Sequence, residues 1–155
     1  MSRRADAASG RGYFGLGVER PKTEANIGTL WRSAYVFGAA FLFTVGRRYE
    51  KQHSDTLKTW RHVPLFHYET LDAMRAGLPH DCPIIGVELH ESAESLTSFT
   101  HPARAAYLLG AEDHGLSNQA VRACHRLVRL RGRFCLNVAV AGSIVMHDRF
   151  TRTPE

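Results

Sequence analysis

The stretch LRGRFCLNVAVAGSIVMHDR, Leu130 to Arg149, reads as a basic, glycine-containing loop feeding an amphipathic helix that begins near Cys135, and one residue in it resists that reading. Asn137 falls in the first turn of that helix, among Leu136, Val138, Ala139, Val140 and Ala141. A primary amide left without hydrogen-bond partners in apolar surroundings costs about 1–3 kcal/mol. Either Asn137 pairs with local backbone, or the start of the helix borders a polar site. What Asn137 faces therefore decides how the last third of the chain is folded.

Upstream, strand-like and helix-like segments alternate. YFGLGVE (Tyr13 to Glu19) is a short strand, and ANIGTLWRSAYVFG a helix that Asn26 can cap and Gly38 ends. AAFLFTVG is a buried strand, Arg47 to Arg61 a polar loop, VPLFHY an extended piece, and TLDAMRAG a helix capped by Thr70 and ended by Gly77. CPIIGVEL, RAAYLLGAE and RLVRL are strands, and SNQAVRACH is a helix capped by Ser117. Alternating β and α with continuously apolar strands predicts an α/β fold, a mainly parallel sheet with helices on both faces. A chain of 155 residues, 44% hydrophobic and 23% charged, fits one domain over residues 12–155, preceded by a polar, aperiodic, mobile arm over residues 1–11.

Several function classes are excluded. No run approaches the roughly 18 apolar residues of a membrane span, and MSRRADAASGRG lacks the apolar middle of a secretory signal, so a cytoplasmic protein is expected. Cys82, Cys124 and Cys135 have no paired spacing, and the nine histidines form no ligand pair along a helix, so no metal is expected. GLGVER lacks the third glycine of a dinucleotide fingerprint, and there is neither a phosphate-binding P-loop nor a nucleophile elbow. The formal charge of +5 points to a polyanionic partner, nucleic acid first. Cations gather in the first third, including Arg20, Lys22, Arg32, Arg47 and Arg48, and again from Arg122 to Arg133.

Three stretches lie at the C-terminal ends of strands or the starts of the following helices, where open parallel sheets place ligands. EANIGTLWR carries Asn26, Gly28 and Arg32; LLGAEDHGLS carries Gly110, Glu112, Asp113 and Gly115; RLRGRF leads into Leu136 and Asn137. Taken together, from about Tyr13 to Arg149, they resemble the motifs of the SpoU/TrmH branch of the SPOUT RNA methyltransferases. Asn26, Gly28 and Arg32 match the first motif, Gly110, Glu112, Gly115 and Leu116 the second, and Leu136, Asn137, Val138 and Ala141 the third.

The resemblance implies an α/β knot, with a C-terminal trefoil knot that brings the last helix to the cofactor pocket, and transfer of a methyl group from S-adenosyl-L-methionine to a ribose 2′-hydroxyl. Asn137 then faces the site and not the core. The adenosyl group is expected against the backbone of Leu109, Gly110, Leu130, Gly132, Leu136 and Asn137. Arg32, Asn26, Glu112 and Asn137 are the expected catalytic set. Arg32 orients the hydroxyl and its phosphate, the two asparagines hold loop and substrate, and Glu112 either accepts backbone N–H groups or pairs with Arg32. Arg20, Lys22, Arg32, Arg47 and Arg48 are expected to bind RNA, with tRNA preferred over rRNA. A homodimer is expected, with Trp31, Tyr35, Phe37, Met146 and Phe150 in its interface. The chain departs from the family at two serines, which are Cys135 and Ala139 here. That keeps open a catalytically silent, RNA-binding relative with the same fold.

Overall fold

The first strand, β1 (Tyr13–Glu19), is asymmetric in a way that organises its neighbours. Phe14, Leu16 and Val18 bury on one face, while Gly15 and Gly17 leave the other face bare. The next strand, β2 (Phe41–Val45), pairs with it in parallel, Gly15 opposite Phe41 and Gly17 opposite Phe43. Side chains in both places would collide, since a Cβ on Gly15 would stand 2.3 Å from the Phe41 ring and one on Gly17 2.2 Å from the Phe43 ring. The glycines that resemble a nucleotide fingerprint are thus packing devices.

The computed structural model describes residues 12–49 and 58–153. The arm expected over residues 1–11 and the middle of the loop expected from Arg47 to Arg61 lie outside the described residues. The remaining strands are β3 (Leu65–Tyr68), β4 (Ile84–Val87), β5 (Glu94–Ser95), β6 (Arg104–Leu109) and β7 (Arg126–Arg129). They form one sheet in the order β3-β2-β1-β6-β4-β7-β5, and each pairing is parallel. Helices α1 (Glu24–Phe37) and α4 (Val138–Arg152) cover one face, over Leu16, Val18, Ile27, Leu30, Tyr107 and Val145. Helices α2 (Leu71–Gly77) and α3 (Asn118–Ala123) cover the other, over Phe43, Leu71, Met74, Leu108 and Ala120. No helix among the described residues is long and apolar enough to cross a membrane.

The helix ends depart from expectation where it matters most. α4 starts at Val138, three residues later than Cys135, and Asn137 is its N-cap, its Oδ1 accepting from Ala139 N at 2.8 Å and Val140 N at 3.3 Å. Asn26 does not cap α1; Thr23 holds that position, leaving the Asn26 side chain free to reach elsewhere. Thr70 and Ser117 cap as expected, and Gly38 ends α1 in the left-handed region, but Gly77 is the last residue of α2 and Leu78 follows it in extended backbone. The two-residue β5 and the short 3-10 turns Thr59–Arg61 and Leu96–Ser98 were too brief for any periodicity to announce.

Trp31 and Met146, expected in a dimer interface, are instead core, at 6% and 0% exposure. Trp31 lies on the sheet side of α1, and its indole N–H donates to Val63 O at 2.8 Å. The far end of α4 is pinned by buried polar groups. Arg149, 2% exposed, donates to Pro102 O at 2.6 Å, Ala103 O at 2.8 Å and the Tyr107 hydroxyl at 3.2 Å, with its guanidinium 4.9 Å from the Phe14 ring centre. Carbonyl dipoles and a ring face here replace the water that a buried cation loses. His101 bridges Tyr107 and Asp148, and Arg152 closes the cluster by donating to Asp148, Leu96 O and Phe99 O.

Candidate active site

The chain leaves β6 at Leu109 and doubles back at once. A Cβ on Gly110 would stand 1.9 Å from the Gly115 carbonyl carbon and 2.2 Å from Leu116 N, so only glycine admits the return. Gly115 itself has φ +63°, and an isolated bridge joins Ala111 to Gly115. Two carboxylates from neighbouring strands grip this loop. Glu88, just past β4, accepts from Leu116 N at 2.6 Å through Oε2 and from Leu89 N at 2.9 Å through Oε1. Glu19, ending β1 at 5% exposure, accepts from Ser117 N at 2.9 Å and Ser117 Oγ at 2.6 Å. Neither was expected in the site. Their signal was present, since YFGLGVE and CPIIGVE each end an apolar strand on a glutamate.

Three of the four expected catalytic residues meet. Asn26 Nδ2 donates to Glu112 Oε1 at 2.5 Å, and Asn137 Nδ2 donates to Asn26 Oδ1 at 3.0 Å. The chain of bonds then continues through Asn137 Oδ1 into the first amides of α4. Helix α1, the loop after β6 and the start of α4 are thereby locked together by two amides and a carboxylate. Among the described residues Glu112 bonds neither to backbone N–H groups nor to Arg32, the two roles expected of it. Arg32 lies six residues past Asn26, on the exposed side of α1. The second oxygen of Glu112, Oε2, is buried with no hydrogen-bond partner among the described residues.

A cavity of about 540 Å³ opens beside this network, at the C-terminal ends of β4, β6 and β7. Leu109, Gly110, Leu130, Gly132 and Leu136, the residues expected against the cofactor, line it, and Glu112 forms part of its wall. Asn137, expected against the cofactor, is not among the lining residues; its amide is bound to Asn26 and caps α4. The two family departures separate here: Cys135 lines the cavity, whereas Ala139 is buried in the core at 2% exposure. Gly28 stands in no tight contact, the nearest atom to a Cβ there being the Tyr49 hydroxyl oxygen at 3.9 Å.

The expected RNA-binding cations Arg20, Lys22, Arg47 and Arg48 follow β1 and β2 at the same end of the sheet, all exposed. Lys22 pairs with Asp113, holding that carboxyl below its usual range, and so ties the cationic rim to the loop after β6. Arg47 donates to Lys22 O at 3.0 Å and Arg48 to Glu69 at 3.4 Å. No group of three or more metal-ligating side chains occurs among the described residues.

Comparison with known proteins agrees with this geometry. The family model of the SpoU rRNA Methylase family matches residues 14–147. No curated protein matches the chain. Among solved structures, the AdoMet-bound rRNA methyltransferase from Sinorhizobium meliloti has a TM-score of 0.79 at 22% identity, over 89% of this chain and 56% of that one. The chain thus spans little more than half the length of that relative. A structure described as giving insights into the 2-OH methylation of C/U34 on tRNA has a TM-score of 0.77 at 22% identity, over 92% of this chain and 97% of that one. The A. aeolicus TrmH/SpoU tRNA modifying enzyme has a TM-score of 0.80 at 14% identity, over 92% and 77%. The family match runs from Phe14 in β1 to His147 in α4 and takes in the doubled-back loop, the asparagine pair and the cavity: the chain belongs to the SpoU rRNA Methylase family.

Proposed function

We propose that the protein is a cytoplasmic, S-adenosyl-L-methionine-dependent RNA ribose 2′-O-methyltransferase that acts as a homodimer and prefers tRNA over rRNA. The observation that carries this reading is the Asn26–Glu112–Asn137 network standing beside a cavity lined by the motif residues. The cavity fits the cofactor, since Leu109, Leu130 and Leu136 give it apolar walls for an adenine ring, and its volume lies in the range of small-molecule sites. Glu112 in the cavity wall, whose buried Oε2 has no hydrogen-bond partner among the described residues, would suit a cationic sulfonium. In this reading the segment from Leu130 to Arg152 is threaded as the family's trefoil knot.

When bound, S-adenosyl-L-methionine supplies an electrophilic methyl group. The residues of the chain fix the geometry of its acceptor. Asn26 and Asn137 hold the start of α4 against Glu112, so the wall of the cavity is rigid before RNA arrives. Arg32 orients the 2′-hydroxyl and the neighbouring phosphate from the exposed side of α1; a guanidinium with a pKa above about 12 grips a phosphate well and accepts a proton poorly. Val140 and Ile144 on α4, with Leu136 in the loop just before it, form an exposed apolar stripe at 46%, 39% and 48%, and Val36 on α1 adds 60%. This stripe supports a second copy as the partner, a self-complementary face on the side that carries Arg32.

The tRNA preference is supported by the structure described as giving insights into the 2-OH methylation of C/U34 on tRNA, of which this chain covers 97%. The test uses labelled cofactor with tRNA and rRNA from cells lacking the gene, and maps modified positions by their resistance to alkaline cleavage. Labelling of rRNA alone would overturn the preference. Cys135 in the cavity wall favours one second reading, a silent RNA-binding relative, which is established if RNA and cofactor both bind and no methyl is transferred.

A further inference from the structure

We propose that the flank of α1 turned away from α4 is a nucleobase-stacking surface for an RNA strand, built from Tyr35, Trp60 and His62 and edged by the cations Lys58, Arg61 and Arg32. The proposal rests on the RNA-directed reading above and locates where the strand lies beyond the target ribose.

Helix α1 divides around its axis. Asn26, Leu30, Ser33 and Phe37 meet α4, through Asn137, Gly142, Ser143 and His147 respectively. On the opposite flank Tyr35 stacks on His62, ring centres 4.6 Å apart and planes 26° from parallel. The 3-10 turn Thr59–Arg61 is fastened there, with Thr59 buried at 1% and the Trp31 indole donating to Val63 O. That anchoring leaves Trp60 38% and Tyr35 47% exposed, and it sets the Arg61 guanidinium 5.0 Å from the centre of the Trp60 ring.

The chemistry of the patch points to single-stranded nucleic acid. Its exposed side chains are rings and cations, and among the described residues from Ala25 to Tyr68 there is no Asp or Glu; Glu50 and Asp55 lie outside the described residues. Rings accept the π-face of any base, and lysine and arginine neutralise the phosphates between them. A self-association face has a different make-up here: the aliphatic stripe of Val36, Val140 and Ile144 lies on the other side of Arg32. Tyr35 is nine residues past Asn26, about 14 Å along the helix axis. A strand presenting its ribose at the cavity would cross Arg32 and reach the rings a few nucleotides away.

The test uses the full-length protein with two probes, bulk tRNA and an unstructured oligoadenylate. Trp31 is buried and Trp60 exposed, so oligoadenylate should quench the tryptophan emission of the wild type and leave that of Trp60→Phe unchanged. Trp60→Ala and Tyr35→Ala should each weaken binding of both probes about tenfold, while Trp60→Phe binds nearly as well as wild type. Cofactor affinity and sedimenting mass should stay the same in all three. Arg61→Ala should lower the salt slope of binding by about one, and Trp60→Ala should not change it. If wild type binds RNA and both alanine variants bind it equally well, the surface is wrong and the RNA reading stands. If wild type binds neither probe, both fall together. A change in sedimenting mass would make the patch a protein contact and overturn the proposal.

Discussion

Asn137 donates to Asn26 across 111 positions of sequence, at 3.0 Å, while its own carbonyl oxygen caps α4. One side chain thus closes a helix end and a site together, and substitution can separate the two roles. Asn137→Ala loses both, and should lower unfolding free energy by about 0.5–2 kcal/mol and abolish most methyl transfer. Asn137→Asp keeps the capping acceptor but removes the donor to Asn26. It should retain stability in urea titration and still fail in the transfer assay; full activity would show that the Asn26 bond is dispensable.

The two motif glycines should respond in opposite directions. Gly110→Ala forces a methyl into the Gly115–Leu116 backbone and should cost on the order of 1–3 kcal/mol, with a matching loss of cofactor affinity by calorimetry. Gly28→Ala meets nothing closer than 3.9 Å inside a helix and should raise stability by up to about 1 kcal/mol. If activity nevertheless falls in that variant, Gly28 gives room to RNA and not to the fold.

Arg32 is an exposed helix residue, so Arg32→Ala should change stability by less than about 0.5 kcal/mol and leave cofactor affinity unaltered. Methyl transfer to the correct RNA should drop on the order of 100-fold, and Arg32→Lys should recover little of it, because an ammonium lacks the planar two-pronged grip. Retained activity in Arg32→Ala would refute the mechanism and leave the fold untouched.

His101 makes the anchor of α4 sensitive to acid. In the neutral ring the Nε2 hydrogen goes to the Asp148 carboxylate, so Nδ1 accepts from the Tyr107 hydroxyl, which itself accepts from Arg149. That arrangement needs a neutral ring. Burial holds the imidazole below its usual 6.5, outweighing the upward pull of Asp148, and Arg149 and Arg152 push in the same direction as burial. The unfolded chain then binds the extra proton first, so the contribution is complete above pH 6.5 and is lost as pH falls below it. Melting temperature should fall more steeply from pH 7 to pH 5 in wild type than in His101→Gln; equal slopes would remove His101 from the account.

The three thiols should differ sharply towards an alkylating reagent at neutral pH. Cys82 is buried with its pKa raised, and burial pushes Cys124 up to about 12, whereas Cys135 is exposed in the cavity wall. Peptide mass spectrometry should find Cys135 modified first, and S-adenosyl-L-methionine should slow that modification.

Much of the sheet was legible because its strands are short apolar runs punctuated by glycine, serine or a charge, and the parallel arrangement followed from the alternation with helices. The sequence pattern starts α4 too early, because Phe134, Cys135 and Leu136 extend the apolar pattern of the helix. In the structure they are exposed loop, Phe134 at 85%. Asn26 looked like a cap because local sequence offers it no other partner, and its true partners lie 86 and 111 positions away. Glu19 and Glu88 are silent in the sequence for a related reason, since an acid ending a strand has no visible task until the loop it grips is folded beside it.

Gly15 and Gly17 lie under Phe41 and Phe43, so the space one strand gives up is the space the next one fills. Neither half of that exchange can drift alone: a larger residue on β1 meets a ring, and a smaller one on β2 opens a void. The facing positions should therefore change together, a grown glycine being tolerated where the ring opposite it has shrunk.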